Sequence, residues 1–381
     1  MALGTGALED MVSRVFANVY AGKRVLVTGH TGFKGSWLTA WLLKLGAEVA
    51  GFAIDFPSAP CHFSVLGLER RIRDFRGDIR DREGLSRVLD DFKPEIVFHL
   101  AAQALVRRSY QDPAATFEIN TMGTLNLLEC LRQHPEVRAG VLITSDKCYR
   151  NVEWVWGYRE EDRLGGEDPY SGSKGCAEIV FYSYFHSFFR GKSNGPSFAT
   201  ARAGNVIGGG DWAEDRIVPD CVRSWSRGET VMIRSPRATR PWQHVLEPLS
   251  GYLWLGSELW RRNSHAVGSS YNFGPDASVN QSVETLISAL SRHWPDAKWI
   301  VDAQAAAGRP EATLLKLCCD KALAELNWKA TLTFEETIRL TSQWYQRYYC
   351  NPAKEMAGCT GSQIDEYCDL ARQRKVEWSG R

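Results

Sequence analysis

Three consecutive residues in the middle of the chain have the types needed to move protons. Ser145, Asp146 and Lys147 follow the apolar stretch GVLI (140–143) almost directly, which is typical of a buried strand that ends in a loop. A hydroxyl, a carboxylate and an ammonium group at such a point can act together as acid and base. A solvated polar turn is the alternative interpretation, and these three residues alone do not exclude it.

A second pair of residues fits the same chemistry. Tyr170 and Lys174 lie in the stretch DPYSGSKGCAE (168–178), and residues four apart on a helix share one face. An ammonium group beside a phenol stabilises the phenolate, so we expect Lys174 to lower the pKa of Tyr170. Tyr170, helped by the hydroxyl of Ser145, could then accept a proton from a substrate alcohol. An ordinary pair on a helix face is the alternative.

A glycine loop near the beginning of the chain predicts a dinucleotide site. The stretch VTGHTGFKG (27–35) places Gly29, Gly32 and Gly35 between a predicted strand and a long predicted helix. Glycines let backbone N–H groups approach a pyrophosphate, and the helix N-terminus carries partial positive charge. The three glycines alone would be weak support, but the strand and helix on either side favour the dinucleotide interpretation.

Residues at the ends of the next strands would contact the rest of this cofactor. Asp55 follows the second strand and could accept hydrogen bonds from the adenosine ribose, which would favour NAD over NADP. A surface turn is an equally good interpretation of Asp55. Asp78 and Ile79 could meet the adenine edge, and Ala101 and Ala102 leave room for the cofactor backbone.

The elements that position these residues alternate along the chain. Strand-like and helix-like segments follow each other from residue 24 to about 205, which predicts right-handed crossovers and a parallel sheet. The fold class is therefore α/β, a Rossmann-type doubly wound parallel sheet with a smaller mixed α/β C-terminal substrate-binding domain. The predicted units are an NAD-binding domain at 20–207 with returning segments at about 240–275, a sugar-nucleotide domain at 208–350, and a tail at 351–381 without an assigned fold.

Bulk properties restrict the class of protein. A net charge of +1 over 381 residues argues against nucleic-acid and membrane-surface partners. No apolar run is long enough to span a bilayer, and the first residues lack the pattern of a secretory signal. The ten cysteines show no zinc-ligand spacing. We therefore expect a cytoplasmic protein with reduced thiols and no metal site.

Taken together, these motifs resemble the extended short-chain dehydrogenase/reductase family over about residues 20–345. Within that family they are similar to the nucleotide-sugar 4,6-dehydratases that act on CDP-D-glucose in deoxysugar and O-antigen-type polysaccharide synthesis. The matching stretches are VTGHTGFKGSWL (27–38), SDKCY (145–149), EWVWGYRE (153–160), DPYSGSKGCAE (168–178), GNVIGGGDWAEDRIVPD (204–220) and RPWQHVLEP (240–248).

The resemblance implies NAD as cofactor and CDP-D-glucose as substrate. Such enzymes oxidise the sugar at carbon 4, eliminate water across carbons 5 and 6, and then reduce carbon 6. It also implies that Asp146 is the acid and Lys147 the base of the elimination, although we treat them as a joint acid/base pair. Related thymidine-nucleotide dehydratases carry a glutamate at the position of Lys147. A nucleotide-sugar epimerase or reductase, and a non-catalytic cofactor-sensing protein, remain as alternatives.

The resemblance extends to the binding residues and to assembly. It implies a homodimer or homotetramer. For the substrate it implies Asn205, Arg216, Arg240 and Arg309. For the cofactor it implies Gly29, Thr31, Gly32, Phe33, Lys34, Gly35, Asp55, Asp78, Ile79, Ala101, Ala102, Gln103, Asn120, Tyr170 and Lys174.

Overall fold

The computed structural model describes residues 15–192, 195–276, 279–301, 314–350 and 355–380. Its centre is a seven-stranded parallel sheet with the strand order β11-β6-β5-β4-β1-β2-β3. This order confirms the predicted Rossmann-type sheet. Successive strands are added on one side of β1 up to β3 and on its other side from β4 onward, and such folds bind ligands at this switch between β1 and β4. The strands are β1 Arg24–Thr28, β2 Glu48–Ala53, β3 Arg73–Arg76, β4 Ile96–His99, β5 Ala139–Ile143, β6 Ser197–Ala203 and β11 Ser270–Phe273.

Helices cover both faces of this sheet. The central strands β4, β5 and β6 are buried along their whole length, as expected for parallel strands that have helices on both sides. The helices are α1 Phe33–Lys44, α2 His62–Val65, α3 Arg82–Phe92, α4 Val106–Gln111, α5 Pro113–Phe117, α6 Gly123–Gln133, α7 Pro169–Tyr184, α8 Ile217–Trp225, α9 Leu246–Trp260, α10 Val283–Ser291, α11 Asp320–Leu326, α12 Phe334–Cys350 and α13 Met356–Gln373.

Short strand pairs occupy the second half of the chain. They are β7 Val206–Ile207 with β10 Gln243–His244, β9 Thr239–Arg240 with β12 Gln281–Ser282, and β8 Val231–Ile233 with β13 Trp299–Val301. The stretch SFATARAGNVIG spans residues 197–208. The structure divides it into β6 and β7, with Gly204 and Asn205 between them, because the chain leaves the main sheet at this point.

The C-terminal segment, which had no predicted fold, contains the helix α13. This helix packs on α1 and α12. Its buried positions include Thr360, Ile364 and Tyr367, which recur at helical spacing. A short turn then places Trp378 against Phe16, with ring centroids 5.0 Å apart. The segment therefore completes the core on one face of the sheet.

Candidate active site

Ser145, Asp146 and Lys147 form the turn that follows β5. Ser145 accepts a hydrogen bond from the backbone N–H of Lys147 at 3.3 Å and donates its own hydroxyl to Asp146 Oδ1 at 2.9 Å. The Lys147 ammonium lies 3.9 Å from the same oxygen. Asp146 is buried, whereas the side chain of Lys147 is one-third exposed. The carboxylate thus faces the interior, and the ammonium can reach a molecule bound outside it.

Helix α7 brings Tyr170 and Lys174 to this turn. Asp168 caps the helix by accepting a hydrogen bond from the backbone N–H of Ser171 at 2.9 Å, and Pro169 suits the first helical turn. Tyr170 and Lys174 are both buried on the face that meets the Ser145 turn. The Ser145 hydroxyl lies close enough to Tyr170 to lower the pKa of its phenol. Geometry therefore brings the predicted oxidation residues together.

The pKa of Tyr170 differs from the prediction. Burial raises the pKa of this phenol to about 12, and the hydrogen bond with Ser145 opposes that rise only in part. The nearby charges of Asp146 and Arg216 act in opposite directions. The prediction of a lowered phenol pKa is therefore wrong for the protein by itself, because desolvation outweighs the local charges.

Two lysines in the site have lowered pKa values. Burial lowers the pKa of Lys174 to about 8, while Cys148 and Glu178 oppose the change. Burial and then Arg216 lower the pKa of Lys34 to about 8, and Asp146 opposes them. Lys34, predicted only as a cofactor residue of the glycine loop, therefore lies within electrostatic range of the proton-transfer residues. Its ammonium also donates to the hydroxyl of Tyr252 at 3.4 Å.

Three buried polar atoms in this region have no hydrogen-bond partner among the described residues. They are Asp146 Oδ2, Asn205 Nδ2 and Gln243 Oε1. Asn205 and Gln243 are neighbours, since the backbone N–H of Gln243 donates to the carbonyl of Asn205 at 3.1 Å. Gly204 connects them to Asp146, because a side chain at this position would place its Cβ 2.7 Å from Asp146 Oδ2. Unpaired buried polar groups are costly, so these atoms are suited to bind a polar ligand.

The arginines predicted to bind the substrate have different surroundings. Arg216 is half-buried, forms an ion pair with Asp211 at 2.6 Å, and lies near Tyr170. Arg240 is half-buried in β9 and donates to the carbonyl of Thr239 at 2.8 Å. Arg309 lies outside the described residues. Only Arg216 among them is therefore seen next to the catalytic candidates.

The glycine loop has the shape required for a dinucleotide. Gly29 has a φ of 72°, and a Cβ there would lie 2.7 Å from the backbone nitrogen of Ala101. A Cβ on Gly35 would overlap the carbonyl oxygen of Gly29. Gly32 is the N-cap of α1 and has no side chain to satisfy the free N–H groups of the first turn. The loop and helix end therefore fit a pyrophosphate bound at the strand switch.

Residues predicted at the adenosine end contact mainly their own neighbours. The side chain of Asp55 is exposed and accepts a hydrogen bond from the N–H of Phe56, while its carbonyl accepts one from Thr31 at 2.7 Å. Asp78 forms an ion pair with Arg80 at 2.6 Å, and this hydrogen-bonded guanidinium lowers the pKa of Asp78. The ribose contact of Asp55 stays a prediction.

The remaining predicted cofactor residues lie in and around the loop after β4 and at the start of α1. Asn120 accepts a hydrogen bond from the N–H of Gln103 at 2.8 Å and donates to Ser173 on α7 at 2.9 Å. The Asn120 side chain therefore ties the loop after β4 to α7. Ala101 and Ala102 are half-buried in that loop, Ile79 is buried against Gly123, and Phe33 begins α1 next to Gly208.

Sequence reasoning did not single out several residues that the structure places here. Gln243 and Gly204 lie inside stretches that carried the family resemblance, but no charge or spacing marked them. Tyr252 lies on α9, whose almost entirely apolar sequence indicated only core packing. His99, at the end of β4, is hydrogen-bonded to Thr28 at 2.7 Å and to Thr124 at 3.3 Å, so its role is structural.

Comparison with known proteins adds the family. The sequence profile of the family described as GDP-mannose 4,6 dehydratase matches residues 26–341. A CDP-glucose 4,6-dehydratase of Salmonella typhimurium is 46% identical over 355 residues, covering 92% of this chain and 97% of that protein. A dTDP-glucose 4,6-dehydratase of Xanthomonas campestris is 24% identical and covers 84% of this chain and 92% of its own length.

Solved structures agree on the fold. A UDP-glucose 4-epimerase from Thermus thermophilus, solved with NAD, has a TM-score of 0.70 at 26% identity and covers 85% of this chain and 99% of its own. A dTDP-glucose 4,6-dehydratase from Streptomyces venezuelae, also solved with NAD, has a TM-score of 0.70 at 23% identity and covers 87% and 100%. In the described ranges, none of the helices is both long and apolar enough to cross a membrane.

Proposed function

This chain belongs to the GDP-mannose 4,6-dehydratase family of extended short-chain dehydrogenases, and from this membership we infer that it converts CDP-D-glucose to CDP-4-dehydro-6-deoxy-D-glucose and water. The observation that carries this proposal is the juxtaposition in one buried site of Ser145 and Tyr170 with Asp146 and Lys147. The first pair suffices for oxidising an alcohol, and an elimination needs the second. The relative from Salmonella bears the same activity in its name.

The oxidation uses the hydroxyl pair. Ser145 orients the sugar 4-hydroxyl, and Tyr170 accepts its proton, directly or through Ser145. Lys174 is buried near the phenol and carries the positive charge that favours a phenolate when substrate displaces solvent. NAD supplies, when bound, a reversible acceptor for two electrons and one hydrogen. The glycine loop at Gly29, Gly32 and Gly35 would hold its pyrophosphate.

The elimination uses Asp146 and Lys147. The new ketone at carbon 4 acidifies the proton on carbon 5, and Lys147 removes it. Asp146 gives a proton to the 6-hydroxyl, which leaves as water. Its Oδ2 is buried and has no partner among the described residues, so this oxygen can carry that proton. Carbon 6 then receives the hydrogen and electron pair taken from carbon 4, and Lys147 returns a proton to carbon 5.

The diphosphate and nucleotide would bind on the C-terminal side of this pocket. Arg216, half-buried beside Tyr170, and Arg240 are the described arginines that we assign to it, and Arg309 is the third predicted arginine. A guanidinium suits a diphosphate because it offers several donors in one plane. Asn205, with its unpaired Nδ2, supports the same binding site.

The test is a product analysis. We expect the NAD-loaded protein to convert CDP-D-glucose to a product that has lost one water by mass spectrometry and absorbs in alkaline ultraviolet light. Lys147→Ala should abolish the loss of water while NAD binding is kept. A product that retains its 6-hydroxyl, with inversion at carbon 4, would show an epimerase instead. Parallel assays with dTDP-, UDP- and GDP-glucose test the base preference.

Assembly and location follow as further parts of the proposal. Exposed apolar side chains lie on the neighbouring segments α5 to α7, namely Phe117, Met122, Ile179 and Tyr182. Such a face suits a second copy of the chain, as a homodimer or within a homotetramer, and light scattering would measure the mass. The ten cysteines are free thiols in the described chain, which supports the cytoplasm as the location.

A further inference from the structure

A buried ion pair that takes no part in the chemistry lies beneath the catalytic turn. Arg202 on β6 donates to both carboxylate oxygens of Glu178 on α7, at 2.9 and 2.7 Å. The two side chains are 3% and 2% exposed. Burial alone would raise the pKa of Glu178, but the Arg202 guanidinium and the hydroxyls of Thr144 and Thr200 together outweigh it and hold that pKa below its usual value. Both groups are therefore charged.

This pair binds the catalytic turn at both of its ends. Thr144, which immediately precedes Ser145, donates its hydroxyl to the carboxylate of Glu178. Tyr149, which immediately follows Cys148, accepts a hydrogen bond on its hydroxyl from Arg202 at 2.7 Å. The four residues between these anchors include all three catalytic candidates of the turn. One rigid charged unit therefore determines where the turn begins and where it ends.

The same unit extends to the second half of the chain. The Tyr149 hydroxyl donates to Asn272 Oδ1 at 2.8 Å, and the amide of Asn272 donates to the carbonyls of Tyr158 and Cys318 at 2.9 and 3.1 Å. Arg202 also donates to the carbonyl of Glu160 at 2.9 Å. The anchor at Tyr149 is thus itself held by the β11 edge of the sheet.

Stability alone is a weak explanation for this arrangement. Replacing a buried ion pair with well-packed apolar residues is often neutral or stabilising, so such a pair contributes little net stability compared with apolar packing. The rate of a catalysed step, by contrast, depends strongly on where the catalytic group lies. A shift of about 1 Å can cost about a hundredfold in rate. The two anchors restrict the motion of the turn that carries Asp146 and Lys147, whose positions determine the rate.

We propose that Glu178 and Arg202 position Asp146 and Lys147 for the elimination step, acting through Thr144 and Tyr149. They are positioning residues, since neither charged side chain is exposed toward a substrate. The proposal rests on the proposed dehydratase function. It predicts that loosening either anchor affects removal of water more than oxidation, because Tyr170, which accepts the proton of the alcohol, is held on α7 outside the turn.

The experiment removes the anchors singly without deleting the buried charges. Thr144→Val and Tyr149→Phe each remove one hydroxyl from the wild-type, NAD-loaded protein. We expect each to lower kcat for the 6-deoxy product about tenfold, with little change in KM. Rapid quenching and mass spectrometry should show more oxidised hexose that still carries its 6-hydroxyl, a readout that a purely structural role would not change.

Two variants provide matched controls. Thr200→Val also removes a hydroxyl that donates to Glu178, at 2.8 Å, but from β6 instead of from the turn. Tyr158→Phe removes the hydroxyl of the ring stacked on Tyr149, with centroids 5.3 Å apart, and this hydroxyl contacts Asn151 and Val152. We expect both controls to keep the wild-type kcat and the wild-type ratio of the two sugars.

The outcomes separate this proposal from the function on which it rests. Wild-type protein that makes no 6-deoxy sugar would contradict the dehydratase itself. Active wild-type protein with equal losses in all four variants, or with no loss in Thr144→Val and Tyr149→Phe, would contradict positioning by the ion pair. Thermal melting of each variant, compared with its control, shows whether a loss of rate comes from unfolding.

Discussion

The position of the Asp146 carboxylate depends on the absence of a side chain at residue 204. Its Oδ1 receives the Ser145 hydroxyl and lies near the Lys147 ammonium, while its Oδ2 points at the backbone of Gly204. The absence of a side chain at 204 leaves space for the carboxylate and for Asn205 beside it. Gly204 therefore makes room for the carboxylate of Asp146, although it carries no functional group itself.

We predict that Gly204→Ala lowers the rate of dehydration at least tenfold, because the new Cβ would lie 2.7 Å from Asp146 Oδ2 and the short carboxylate must move. Product formation from CDP-D-glucose measures the effect. Gly361→Ala on α13 is the matched control, since a Cβ there meets no atom within 4 Å. That variant should keep full activity and gain about 0.5–1 kcal/mol in stability. Full activity in Gly204→Ala would contradict this placement.

Residue types and spacing predicted which residues form the candidate site, but they could not predict its electrostatics. The spacing of Tyr170 and Lys174 and the strand end at Ser145 placed those groups correctly in one site. The pKa of Tyr170 depends on how deeply the ring is buried, which is a property of the folded chain. The proximity of Lys34 to Asp146 likewise depends on a contact between distant segments.

At the level of elements, a buried carboxylate joins three segments from the second half of the chain. Glu247 in the first turn of α9 accepts hydrogen bonds from the backbone N–H groups of Thr331 and Leu332 and from the hydroxyl of Tyr367 on α13. Burial raises the pKa of Glu247 to about 7, and these hydrogen bonds oppose the change only in part. The junction therefore titrates near neutral pH.

We predict that Glu247 makes the protein less stable as the pH rises from about 4.5 to 7. The folded state holds a proton on this group that the unfolded state has already lost, so its contribution is present below the unfolded pKa and disappears through the folded pKa. The full effect is about 3 kcal/mol. Denaturant unfolding at several pH values, compared with Glu247→Gln, measures it. Parallel pH profiles in the two proteins would contradict the prediction.

The helices and strands differ in how well they could be predicted from the sequence. The strand β5 was predicted from its apolar run GVLI, because all of its residues are apolar and buried. Helix α13 was missed because its buried face includes the polar residues Thr360 and Gln363. Both side chains find hydrogen-bond partners only in the fold, where Trp344 donates to Thr360 and the Gln363 amide donates to the carbonyl of Leu340.

At the scale of the whole molecule, both ends of the described chain meet in one aromatic cluster. Trp378 stacks on Phe16 and on Tyr367, with centroid distances of 5.0 and 5.4 Å, and meets the edge of Trp41 on α1 at 6.0 Å. All four rings are almost completely buried. The cluster covers the outer side of the helix whose first turn forms the cofactor loop.

We predict that Trp378→Ala lowers the free energy of unfolding by about 3–5 kcal/mol, since it leaves a cavity inside a packed aromatic cluster. Denaturant unfolding followed by circular dichroism measures the change. The matched control is Trp156→Ala, because Trp156 is 68% exposed and its removal should change stability by less than about 0.5 kcal/mol. Equal losses in the two variants would contradict the structural role of the cluster.

The meeting of Phe16 and Trp378 also has a consequence for biosynthesis. A ribosome makes the chain from its N-terminus, and Trp41 emerges long before the residues that cover it in the finished protein. During that interval the early helix presents aromatic surface to the cytosol or to a chaperone. Translation must therefore have passed Trp378 before this early layer of the protein can be sealed from water.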